Sequence, residues 1–150
     1  MPLLNYTTKI SADTSVAEIS RSLAKVGARR VMYEYDNQGN IIALSFEILL
    51  QDSPIAFKLP TDWRPVLEVM QKDKKIPRRL ATQDQALRVA WRITKDWVEA
   101  QVAYIETMIV TTAQVFLPYA VTRDGKSMYE YVATNSHILT GGDSDEVKKL

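Results

Sequence analysis

Eight basic side chains carry the chemistry for which this sequence can be read. Lys72, Lys74, Lys75, Arg78 and Arg79 fall within eight positions around Pro77. Arg88, Arg92 and Lys95 follow at i, i+4 and i+7, one face of a helix. Cations at that density can neutralise phosphates and release the counterions of a nucleic acid. Trp63 or Trp91 would add a stacking surface for unpaired bases, and Arg29 and Arg30 would extend the charge. The same residues also fit a plainer arrangement. A charge run ahead of a helix is commonly a solvated connector, and Trp91 and Trp97 match the apolar periodicity of a packing helix.

Other chemistry finds less support. The five glycines form neither G-x-G-x-x-G nor a phosphate-binding P-loop. His137 is the single imidazole, and no nucleophile-elbow pattern surrounds any serine. A Mg²⁺-dependent nuclease needs clustered carboxylates beside a lysine. The candidates are Glu18, Asp36, Glu47 and Lys58, but Ala56 stands where an acid would precede Lys58. Cysteine is absent, which excludes disulfides and thiolate metal sites. The expectation is a protein without enzymatic activity, metal or cofactor.

The net charge of +1 is unevenly spread. Residues 1–57 sum to −1, residues 58–95 to +6 and residues 96–150 to −4. A basic centre beside an acidic C-terminal third suits a local anionic partner, or head-to-tail pairing between copies. No apolar run reaches the roughly 18–20 residues of a membrane span. Met1–Tyr6 lacks the basic n-region of a secretory signal. A cytoplasmic protein is the expectation.

The positioning elements follow from periodicity. Leu4, Tyr6, Thr8 and Ile10 alternate with polar residues and predict a first strand. Ser15-Val16-Ala17-Glu18 is a capping box, and Val16, Ile19, Leu23 and Val26 form an apolar stripe, so a helix is predicted over 15–26 with Gly27 as its stop. Val31, Tyr33 and Tyr35 predict a second strand, and Asp36–Gly39 a turn. Ile42, Leu44, Phe46, Ile48 and Leu50 predict a long third strand. Ile55, Phe57 and Leu59 predict a fourth after Pro54. Asp62 caps a predicted helix over 63–72, whose buried side is Val66, Leu67, Val69 and Met70.

Thr82-Gln83-Asp84-Gln85 is a further capping box. Helical spacing then runs from Leu87 through Ile109 and predicts one helix over about 82–113, roughly 45 Å long. Its apolar positions reach around the circumference at Tyr104, Ile105, Met108 and Ile109. This predicts a homodimer assembled through the end of that helix. Ser127–Val132 is a short element of unassigned type. Met32-Tyr33-Glu34-Tyr35 recurs as Met128-Tyr129-Glu130-Tyr131 without a wider repeat.

The segment Trp91-Arg92-Ile93-Thr94-Lys95-Asp96-Trp97-Val98-Glu99-Ala100-Gln101, with Ile105-Glu106 and Phe116-Leu117-Pro118-Tyr119, resembles small uncharacterised proteins encoded by bacteria and their phages. Asp36–Gly39 followed by Ala43-Leu44-Ser45-Phe46 is also similar, and the likeness covers roughly residues 5–132. It implies a bacterial or phage context and brings no activity or site residues. The expected fold is α+β: an antiparallel β-meander of β-α-β-β-β order, then helices, with the long helix packed on the sheet. Residues 1–140 form the domain and 141–150 a polar tail. The expected function is nucleic-acid binding, to DNA or RNA, by a non-enzymatic accessory protein. The alternative is a protein-interaction module that regulates or inhibits a host protein through the long helix.

Overall fold

Helix α1 spans Ala12–Lys25 and starts at Ser11, whose hydroxyl accepts the Thr14 amide at 3.1 Å. The predicted cap at Ser15 is therefore displaced by one turn. The Ser15 amide already donates to the Ser11 carbonyl, so Ser15 lies in the helix body and is buried. Val16, Ile19 and Leu23 form the buried stripe. Gly27 ends the helix at φ 104°, a backbone state that side chains with a Cβ avoid. The computed structural model describes residues 1–141, so all of the expected tail but Gly141 lies outside the described residues.

Three strands follow: β1 (Arg30–Tyr35), β2 (Ile41–Leu50) and β3 (Ser53–Lys58). They pair antiparallel in the order β1-β2-β3, the meander the turn signals predict. Asp36 builds the first turn, its carboxylate accepting the amides of Gln38 and Asn40 at 2.9 Å each. Those bonds, that of Asn40 foremost, hold its pKa below the ordinary 3.8. Gln51 and Asp52 close the second hairpin, both at positive φ, as a two-residue turn requires. Leu44, Phe46, Ile48 and Phe57 bury one face of the sheet. Ile42, predicted to share that face, is partly exposed instead. The register passes from Glu34↔Ala43 to Tyr35↔Ile41, so Ile42 is an unpaired bulge residue and Ile41 takes the inner position.

The predicted strand at Leu4–Ile10 does not form. Two of its carbonyls, on Tyr6 and Thr8, accept the Gln85 side-chain amide at 2.9 Å each. Asn5 at φ 63° turns the chain and donates to Asp96 at 2.7 Å. The segment is thus tied along a helix, while Leu4 and Ile10 stay exposed. The reciprocal half of the capping box is absent, because the Gln85 side-chain oxygen accepts from Arg88 at 2.9 Å and the Thr82 amide donates to the Leu80 carbonyl at 2.9 Å. Only the Thr82 half of that box is present, accepting the Gln85 amide at 3.2 Å.

Helix α2 (Trp63–Lys72) and its Asp62 cap match the prediction, although Val69 faces solvent. Helix α3 spans Gln83–Glu106, so its 24 residues extend about 36 Å rather than 45. The remaining α-helices among the described residues are α4 (Thr112–Phe116), α5 (Met128–Thr134) and α6 (His137–Thr140). Trp91, Val98 and Val102 of α3 join the inner face of the sheet and α1 in the main core. A smaller core under α2 holds Met70, Ile76, Ala86 and Val89. After α4, Ala120 bridges Phe57, and the Val121 amide donates to the Ala56 carbonyl at 2.8 Å, so the outer edge of β3 is covered there.

The long helix breaks after Glu106 for a local reason. Met108 stands at φ 64°, its amide donating to the Ile105 carbonyl at 3.0 Å. Thr111 and Gln114 then start α4 with a reciprocal capping box. A left-handed methionine is strained, and this one is almost fully exposed, so little packing offsets the strain. Met108→Gly is expected to raise stability by about 1 kcal/mol. A denaturant midpoint at or below that of the parent protein would contradict the account.

Candidate nucleic-acid interface

The connector between α2 and α3 is an ordered loop. Ile76 is its anchor, buried in the smaller core. The Asp73 carboxylate accepts the Lys75 amide at 2.9 Å, and the Asp73 carbonyl accepts that of Ile76 at 3.1 Å. A 3₁₀ turn over Arg78–Leu80 follows Pro77. With Ile76 inward, Lys74, Lys75, Arg78 and Arg79 are all exposed. Among the described residues none of the four makes an ion pair. Lys72 is exposed too, but it pairs with Glu68 at 2.7 Å, one helical turn earlier.

The other three predicted cations are engaged elsewhere. Arg88 donates to the Gln85 side chain at 2.9 Å. Arg92 lies 3.2 Å from Glu18 and also donates to the Ser15 hydroxyl at 3.2 Å. Lys95 meets Glu18 at 3.8 Å, Asp96 at 3.7 Å and Glu99. The hydrogen bond to Glu99, foremost, holds its pKa above the ordinary 10.5. The side chains of Arg92 and Lys95 are only 13% and 18% exposed, against 75% for Lys72. The helical stripe is therefore largely an electrostatic seam between α3 and α1, and the connector carries the open charge.

Glu18 is the residue that sequence reasoning placed in the wrong setting. Its spacing from Ser15 suggested a cap, while its partners lie more than seventy positions away. Glu18→Gln would leave two half-buried cations without it. The expected cost is about 1–2 kcal/mol, between the values for exposed and fully buried pairs. Urea unfolding checks this, and a loss below the scatter of ordinary surface substitutions would sink it.

The tryptophans divide as well. Trp91 is fully buried and donates its indole N–H to the Ile41 carbonyl at 2.9 Å, so it is a core anchor and not a base platform. Trp97 is half-buried, edge-on to Phe116 and Tyr119 with 5.7 Å between ring centroids in each case. Trp63 is half-buried and lines an open cleft of about 970 Å³ with Tyr119, Tyr129, Lys58 and Arg64. No sequence signal indicated that cleft, because its walls come from all three strands, α2, the segment 118–127 and α5. Its cations are already paired, Lys58 with Glu34 at 3.4 Å and Arg64 with Asp62 at 3.0 Å. The hydrogen bond from Arg64 also holds the Asp62 carboxyl below its ordinary 3.8.

The carboxylates weighed for metal chemistry stay apart: Glu18 on α1, Asp36 in a hairpin turn, and Glu47 beside Arg29 at 3.6 Å. Among the described residues, no group of three acids or imidazoles is arranged to hold a metal ion. No helix of the described chain is long and apolar enough to cross a membrane. Of the predicted assembly residues, Tyr104, Met108 and Ile109 are exposed, whereas Ile105 packs partly against the main core.

No protein family, curated protein or solved structure matches the chain.

Proposed function

We propose that this protein is a non-enzymatic nucleic-acid-binding accessory protein of bacterial or phage origin. The connector between α2 and α3 makes its principal phosphate contacts. The observation that carries this reading is the set of four exposed cations, Lys74, Lys75, Arg78 and Arg79, with no acidic partner among the described residues. They sit on a loop whose backbone is already ordered by Ile76 and Asp73, so less conformational freedom is lost on binding. Lys72 adjoins this loop at the end of α2, whereas Arg88 lies with Ser11, Asp13 and Asp84 around a separate shallow pocket. Arg92 and Lys95 contribute field more than contact, since Glu18 pairs with Arg92 and Glu99 foremost with Lys95.

The proposed contact is with the backbone of DNA or RNA and carries no base preference by itself. Titrating single- and double-stranded DNA and RNA across salt tests it. The expected logarithmic slope is about −3 to −4 for duplex DNA, from roughly four phosphate contacts. Absence of binding to every form at low ionic strength would refute the reading.

A protein-interaction role is the second reading, favoured by the exposed Tyr104, Met108 and Ile109 at the end of α3. It requires those side chains to become buried against a host protein or another copy of this chain.

A further inference from the structure

The two outer edges of the sheet differ. The far edge of β3 is bridged by Ala120 and Val121. Strand β1 pairs only with β2 among the described residues, and five of its six residues are exposed. It contains no proline or glycine, and β-branched or aromatic side chains stand at Val31, Tyr33 and Tyr35. A free edge of this composition is a template for another strand unless something opposes the pairing.

We propose that β1 pairs antiparallel with β1 of a second copy, about a two-fold axis at Met32, to form a continuous six-stranded sheet. The self-complementarity of the strand argues for this partner and this register. Residues directly opposite in an antiparallel pair lie on one face of the sheet. Centred on Met32, Arg30 falls opposite the second copy's Glu34, and Glu34 opposite the second copy's Arg30. Val31 and Tyr33 face one another across the other side. Centring on Val31 would set Arg30 against methionine, and centring on Tyr33 would set Glu34 against methionine.

The charges around the junction fit the same register. Within one copy Lys58 meets Glu34 at 3.4 Å, and Arg30 meets Glu47 at 4.0 Å. Across the two-fold these become one row of alternating sign: Lys58, Glu34, the second copy's Arg30 and the second copy's Glu47. The Arg30 side chain is 71% exposed in the single chain and so is free to turn towards this partner. Met32 at the axis is 60% exposed, an apolar side chain that the pairing would cover.

Met32 provides a clean test because its exposed side chain can change without disturbing the core. Sedimentation equilibrium from micromolar to millimolar protein is run on the parent chain, Met32→Lys, Met32→Glu and an equimolar mixture of the two variants. The parent is expected to dimerise, and each variant to dimerise about tenfold more weakly or less, because like charges meet at the axis. The mixture is expected to recover dimer, since the introduced lysine then faces the introduced glutamate. Unchanged unfolding midpoints would show that the variants fold. A monomeric parent, variants that dimerise as the parent does, or a mixture that stays monomeric would each overturn the proposal. So would a dimer lost in Ile109→Asp but retained in Met32→Lys, which would assign assembly to the end of α3.

Discussion

Replacing Lys74, Lys75, Arg78 and Arg79 together by glutamine is expected to lower nucleic-acid affinity by about a thousandfold near 0.1 M salt. The magnitude follows from counterion release. Each phosphate neutralised contributes about 0.9 to the logarithmic salt slope, and four are removed together, so the slope itself should flatten by about 3 to 4. The fold should survive, because all four side chains are exposed and the anchors of the loop are Ile76 and Asp73. The contrasting variant is Arg92→Gln. Its side chain is mostly buried against Glu18 and Ser15, so it should lower stability while leaving the salt slope within about one unit of the parent. Equal affinity of the fourfold variant and the parent would remove the connector from the mechanism. A slope that collapsed in Arg92→Gln alone would return the helix face to it.

Trp91→Ala is expected to produce the largest loss of stability, about 4–5 kcal/mol, lowering the melting temperature by about 10–20 °C. Two effects combine. The substitution empties a fully buried site in the core shared by α1, α3 and the sheet. It also strands the Ile41 carbonyl, which receives the indole N–H at 2.9 Å in the interior. Trp91→Phe separates the effects. It retains much of the volume and loses the hydrogen bond, so about 1–3 kcal/mol of the cost should remain. That bond lies beside the bulge at Ile42 and joins α3 to the beginning of β2. Hydrogen exchange in both variants should therefore rise first at the β1–β2 hairpin. Protection lost at α2 before the hairpin would contradict this order.

Much of the architecture was legible because it depends on local chemistry. The Asp62 cap, the Gly27 stop and the hairpin turns each concern groups within a few residues of one another, where spacing and residue type are sufficient. The basic connector was legible for the same reason: five cations within eight positions cannot all be covered by neighbours of the same sign. Its division into an open loop and a neutralised helix face was not legible. For Arg92 that division depends on Glu18, brought to it by the packing of α1 on α3, while Lys95 is held mainly by Glu99 one turn along its own helix. The cleft beside Trp63 was likewise hidden, because its walls come from distant segments.

The sequence by itself determined the α+β class, the antiparallel meander, α2 to the residue, and the concentration of positive charge at the connector. These follow from short-range hydrogen bonding, apolar periodicity and net charge, none of which needs a distant partner. Tertiary structure decided what distant partners control. Gln85 took the carbonyls of Tyr6 and Thr8 and kept Leu4–Ile10 out of the sheet. The tetrapeptide Met-Tyr-Glu-Tyr shows the same limit. At Met32–Tyr35 it is a strand because β2 supplies its backbone partners. At Met128–Tyr131 it opens α5, where Ser127 and Glu130 close a capping box. Identical side chains carry identical intrinsic preferences, and those are small beside the hydrogen bonds and burial that the surrounding chain provides.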